Sequence, residues 1–128
     1  MDDWNYCIST LPKVSRTFAL NISVLKGDLH KSILVAYLFC RTIDTVEDAC
    51  QLEASHKIKL LLHFASILKD TKNNSAALDQ WITDTSVVDG SPADIDLLKN
   101  TRRVFNIFES LQENHKQYII SSVCTMAQ

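Results

Sequence analysis

Three features of the sequence predict an all-α chain. Apolar residues recur at helical spacing along most of the length. Only two glycines and two prolines occur in 128 residues, too little turn chemistry for many short strands. Ser91-Pro92-Ala93-Asp94 combines an N-cap, a first-turn proline and an acidic third position, a start signal for a helix. With 46% hydrophobic residues the chain is suited to one domain with a modest core, and no repeat or low-complexity segment divides it.

A first short helix is expected from Asp2 or Asp3 to about Thr10, its acidic residues facing the N-terminal dipole and Leu11-Pro12 ending it. Ser15 to Leu25 carries Phe18, Ile22 and Leu25 at helical spacing. Lys26-Gly27-Asp28 reads as a helix stop followed by an N-cap. A long helix then runs from about Leu29 to Ala49. From Gln51 to Lys69 the positions Leu52, Ile58, Leu61, Leu62, Ala65 and Leu68 set the apolar face of another helix, which the polar Asp70–Ser75 stretch ends. A helix over Ala76–Thr83, a turn at Asp89-Gly90, a helix from Ser91 to about Ser110 and a last one from about Gln112 complete the chain. Tyr118, Ile119, Val123 and Met126 form the apolar side of the last helix, and Lys99, Arg102 and Arg103 are expected on a solvated face.

The net charge of −2 and a pI near 6.0 give no electrostatic reason to expect nucleic acid. Cys7, Cys40, Cys50 and Cys124 lack C-x-x-C spacing and are read as reduced thiols. The start Met-Asp-Asp-Trp-Asn has neither the basic nor the apolar part of a secretory signal, and the apolar run Ile33–Cys40 is too short to span a bilayer. A cytoplasmic protein is the expectation. His30, His56, His63 and His115 show no metal-ligand spacing, and no glycine-rich phosphate loop or nucleophile elbow is present.

The chemistry is expected on the long helix. Tyr37, Arg41, Asp44 and Asp48 fall within roughly 60° of one another around its axis. Such carboxylates are common on solvated faces. Here they continue the uninterrupted apolar run Ile33–Cys40, which predicts a helix covered on most sides, whose acidic stripe needs partners or a cation. Paired carboxylates suit Mg²⁺, which is usually held by one or two of them together with substrate phosphates. Glu47, about 80° from Tyr37, suits a water-mediated or outer position. Arg41 is suited either to phosphate or to a structural carboxylate partner.

At these residues the chain resembles the squalene and phytoene synthase family. Val14-Ser15-Arg16-Thr17-Phe18-Ala19 is similar to its SRSF-like segment, and Tyr37-Leu38-Phe39-Cys40-Arg41-Thr42-Ile43-Asp44-Thr45-Val46-Glu47-Asp48 to its Y-x-x-x-R-x-x-D-x-x-x-D helix. A weaker likeness continues through Arg103-Val104-Phe105 and Leu111 to Met126-Ala127. The resemblance implies the N-terminal part of an isoprenoid-synthase-type helical bundle, so that residues 1–128 form a single partial domain. It implies a prenyltransferase joining two farnesyl or geranylgeranyl diphosphates head to head through a cyclopropylcarbinyl diphosphate, in sterol, hopanoid or carotenoid biosynthesis. Mg²⁺ is the implied cofactor, with NADPH only for a squalene synthase. Asp44 and Asp48, with Glu47 as an outer group, become the metal residues, and Tyr37 and Arg41 join them as catalytic residues. Ser15, Arg16, Phe18, Tyr37 and Arg41 become substrate-binding residues, with Phe18 lining the prenyl pocket.

The family's second D-x-x-x-D has no counterpart after Asp48: Asp84 with Asp89, and Asp94 with Asp96, lack the spacing. Gln128 falls inside what reads as an unfinished amphipathic helix. The expectation is therefore an N-terminal half, silent by itself, with an apolar surface open to a C-terminal half or to self-association. Peripheral membrane contact is expected from the lipid substrates. The alternative is a non-catalytic helical binding or assembly module derived from the same fold.

Overall fold

The computed structural model describes residues 2–22, 27–69 and 75–126, in which eight α-helices and one 3₁₀ turn occur and no strand. Helix α1 spans Asp3–Val14, and the Asp2 carboxylate accepts from the Asn5 N–H at 2.7 Å. It passes through Pro12, where the sequence predicted an end near Thr10. A proline removes one helix hydrogen bond; here the buried face of Tyr6, Cys7, Thr10 and Leu11 holds the last turn, which the Ser15 N–H closes onto the Leu11 carbonyl at 2.8 Å.

The extended backbone of Ser15 separates α1 from α2 (Arg16–Ile22), and its hydroxyl accepts from the Phe18 N–H at 3.2 Å. The predicted continuation to Leu25, and Lys26 of the predicted stop, lie outside the described residues. Helix α3 (Gly27–Glu47) opens on Gly27 at φ +64°, a conformation open to glycine and strained for other residues. It ends two residues before the predicted Ala49, where the Lys57 ammonium donates to the Glu47 carbonyl at 2.7 Å, a cation on the negative end of the helix.

Helix α4 (Ala54–Lys69) starts later than predicted. Its buried face is Leu60, Leu61, Phe64, Ala65, Ile67 and Leu68, whereas Ile58 and Leu62 are exposed. Helix α5 (Ser75–Asp84) runs into the 3₁₀ turn Thr85–Val87. Most of the predicted 70–75 loop, residues 70–74, lies outside the described residues.

Helix α6 (Pro92–Lys99) starts as its sequence signal requires, with the Ser91 hydroxyl accepting from the Asp94 N–H at 3.2 Å. The single helix expected from Ser91 to Ser110 is two, because Asn100 (φ −108°, ψ 21°) leaves helical geometry and α7 (Thr101–Glu109) starts afresh. Helix α8 spans Glu113–Met126; Ile119 and Val123 are buried as expected, but Tyr118 is 76% exposed.

Buried α3 lies at the centre, packed by α1, α4, α6, α7 and α8. Phe39 meets Phe64, Phe105 and Phe108 with ring centroids 4.9–5.6 Å apart, and Phe64 continues the cluster to Trp81 at 5.0 Å. Two of the cations expected on a solvated face instead tie helices together. Arg102 pairs with Asp79 and donates to the Ser75 carbonyl at 2.9 Å, while Arg103 bridges to Asp3 at 3.4 Å over the Tyr6 ring.

Candidate functional site

The period of α3 divides its surface. Leu34, Val35, Leu38, Phe39, Ile43 and Val46 go to the core, which leaves Tyr37, Arg41 and Asp44 half-buried at the edge and Glu47 and Asp48 exposed. The acidic stripe is thus an open wall and not the buried one predicted. The half-buried and exposed charges of this edge therefore meet solvent.

Where α3 meets the segment leading into α6, a polar cavity of about 190 Å³ is lined by Arg41, Asp44, Thr45, Asp48, Cys50, Asp89, Gly90 and Asp94. Arg41 spans it. Its Nε and Nη2 donate to the two carboxylate oxygens of Asp94 at 2.9 and 3.1 Å, a planar fork onto a group only 8% exposed. This bond, followed by burial acting the other way, shifts the guanidinium pKa further up. Thr45 is occupied within α3, its hydroxyl donating to the Arg41 carbonyl at 2.8 Å.

Desolvation first, then the neighbouring Asp48 charge, pushes the Asp44 carboxyl above the usual carboxylate range, and Arg41 opposes them less strongly. Asp44 and Asp48, one turn apart beside one cavity, are the kind of oxygen donors a divalent cation takes. Among the described residues no group of three or more His, Cys, Asp or Glu side chains is arranged to enclose a metal. The two carboxylates could therefore supply only part of a cation's ligands.

Of the other site residues predicted from sequence, Phe18 and Tyr37 are brought together with their rings stacked, 4.1 Å between centroids and 14° between planes. Ser15 caps α2, Arg16 is exposed on that helix, and neither they nor Phe18, Tyr37 or Glu47 line the polar cavity. Sequence reasoning missed Asp94 and Asp89. The helix-start signal Ser91–Asp94 located Asp94 in the chain, but gave no sign that it faces Arg41.

A second, apolar groove of about 260 Å³ lies between α3 and α8, lined by Leu29, Ile33, Ala36, Tyr118 and Ile119, with Ser122 at its edge. The Ser32 hydroxyl and His115 Nδ1 meet beside it at 2.7 Å. Ile33 lies one turn before Tyr37, so one helix carries both the groove and the acidic wall. All four cysteines are free; burial drives the Cys7 thiol up to about 12 and raises Cys40 and Cys124, which disfavours thiolate chemistry at these three. No described helix is long and apolar enough to cross a membrane.

The chain is similar in sequence and fold to known proteins. Squalene synthase 1 of Arabidopsis thaliana is 40% identical over 68 residues, covering 53% of this chain and 17% of that protein. Mouse (Mus musculus) squalene synthase is 30% identical over 118 residues, 92% of this chain and 25% of its own length. A solved complex of TcSQS with the ligand BPH1237 superposes with a TM-score of 0.80 at 27% identity, over 98% of this chain and 33% of that one. The chain thus spans about a sixth to a third of these relatives. The sequence profile for squalene/phytoene synthase matches residues 11–127, from the end of α1 through α8, and the chain belongs to that family.

Proposed function

We propose that this chain supplies the first acidic wall of a head-to-head prenyl diphosphate synthase, binding the diphosphate of farnesyl or geranylgeranyl diphosphate with Mg²⁺. The observation that carries the reading is one cavity shared by Arg41, Asp44 and Asp48, in a chain whose residues 11–127 match the squalene/phytoene synthase profile. Asp44 and Asp48 would hold Mg²⁺, with Glu47 reaching it through water. Bound there, the ion supplies positive charge against the diphosphate as the allylic C–O bond breaks. Arg41 binds diphosphate oxygens beside the carboxylates. Tyr37, held flat against Phe18, presents one face of a prenyl pocket that shields the allylic cation from water. Ser15 and Arg16, at the α1–α2 junction and outside the lining of the polar cavity, would extend the diphosphate contacts as the family resemblance implies.

The α3–α8 groove supports a reading in which further helices of a complete synthase pack on this part. One acidic wall leaves the diphosphate incompletely neutralised, so the chain alone is expected to be catalytically silent. The test is incubation with Mg²⁺ and either prenyl diphosphate, alone and mixed with the separately expressed remaining two-thirds of a family synthase. Product only on mixing, lost by orders of magnitude with Asp44→Asn, is the expected result. Condensation by the chain alone refutes the half-site argument, and wild-type turnover of the Asp44→Asn mixture refutes the metal-wall assignment. No product from any mixture favours the helical binding module.

A further inference from the structure

Arg41 has nearer carboxylates than Asp94 in sequence. Asp44 lies three residues on along α3, within side-chain reach on a helix, and a bond to it would withdraw a charge from the acidic wall. The structure instead joins Arg41 to a residue 53 positions away, through both Nε and Nη2. A guanidinium has five N–H donors in a fixed plane. With the Nε edge filled by Asp94, the Nη1 and remaining Nη2 hydrogens form the outer edge of the fork, on a side chain that lines the cavity with Asp44 and Asp48.

The carboxylate that fixes this plane is itself fixed. Asp94 sits in the first turn of α6, its backbone N–H capped by Ser91, and its side chain is 12% exposed against 35% for Arg41. Two residues on, Asp96 accepts from the Tyr6 hydroxyl at 2.8 Å, tying the same helix to α1. Among the described residues no hydrogen bond or ion pair of this kind is made by the Asp44 or Asp48 side chain, and of the Arg41–Asp94 pair it is Asp94 that is the more buried member.

We propose that Asp94 is a positioning residue for diphosphate recognition: it holds Arg41 by its Nε edge, aims the Nη edge at the diphosphate and keeps the guanidinium off Asp44 and Asp48. The proposal rests on the functional reading above. It assigns Asp94 no contact with substrate or metal, so its whole effect runs through Arg41.

That requirement gives the test, on the full chain with Mg²⁺ and inorganic pyrophosphate as the probe, by titration calorimetry. Asp94→Asn is expected to weaken pyrophosphate binding by roughly ten- to a hundredfold, the scale on which outer partners orient ligating groups. On an Arg41→Ala background the same substitution is expected to change nothing. Equal losses on both backgrounds mean a general structural role and overturn the proposal, as does an unchanged affinity in Asp94→Asn. Wild-type chain that does not bind Mg²⁺-pyrophosphate, or binds it equally with Asp44→Asn, refutes the functional reading itself and this inference with it. Should Asp94→Asn fail to fold, NMR of the Arg41 side chain in wild-type protein decides. The Nε–H resonance stays in place while the Nη resonances shift on adding Mg²⁺-pyrophosphate, and displacement at Nε overturns the assignment.

Discussion

The rings of Phe18 and Tyr37 lie face to face, 4.1 Å apart and within 14° of parallel, and join α2 to α3. Both are half-buried, so the contact is a lateral clamp and not part of the central aromatic cluster. Stacked pairs contribute about 0.5–1.5 kcal/mol beyond the area they bury. A double-mutant cycle with Phe18→Leu and Tyr37→Leu, followed by urea unfolding, is expected to return a coupling of that size. A coupling indistinguishable from zero would show that the two rings act independently.

Asp44→Asn should leave the fold at least as stable as wild type at neutral pH. The Asp44 carboxyl lies above its ordinary 3.8 in the folded chain, through desolvation first and Asp48 second. It therefore binds its proton more tightly folded than unfolded. Stability falls as pH rises from 3.8 through the folded value, and the deficit is complete above it. Melting curves against pH should show the variant at or above wild type at pH 7, with the gap closing below that window. A variant that melts well below wild type at pH 7 contradicts the sign.

Phe39 is fully buried and touches three other rings. Phe39→Ala should cost about 3–5 kcal/mol, a large share of the roughly 5–15 kcal/mol that holds most domains folded. Denaturant unfolding should show the midpoint collapse, and a loss below about 1 kcal/mol would mean that the cluster closes over the gap.

The Trp81 indole N–H donates to the Leu60 carbonyl at 2.8 Å and so anchors α5 on α4. Trp81→Phe keeps most of the apolar volume and removes the donor, for an expected loss of about 0.5–1.5 kcal/mol. Trp81→Ala on the same protein should cost several times more, and equal losses in the two would assign no part of the effect to the hydrogen bond.

What the sequence revealed depended on how far apart the interacting residues stand. The order Tyr37, Arg41, Asp44, Asp48 is a local helical period, and α3 with the residue that follows it brings Arg41, Asp44 and Asp48 to one cavity. The Ser91 cap was equally local and formed as read. Arg41 and Asp94 are 53 residues apart, and pattern along the chain says nothing about such a meeting. Ile58 and Leu62 fitted a helical period but are exposed, because Leu60, Leu61 and Phe64 define the face that tertiary packing selects. The pattern also ran unbroken across Asn100, so only its backbone geometry in the folded chain revealed the break.

The break at Asn100 divides two tasks between two helices. On one side α6 carries Asp94 to Arg41; on the other α7 brings Phe105 and Phe108 to the aromatic cluster. The charged rim and the oily centre are thus built by separate helices that meet at a single residue outside helical geometry.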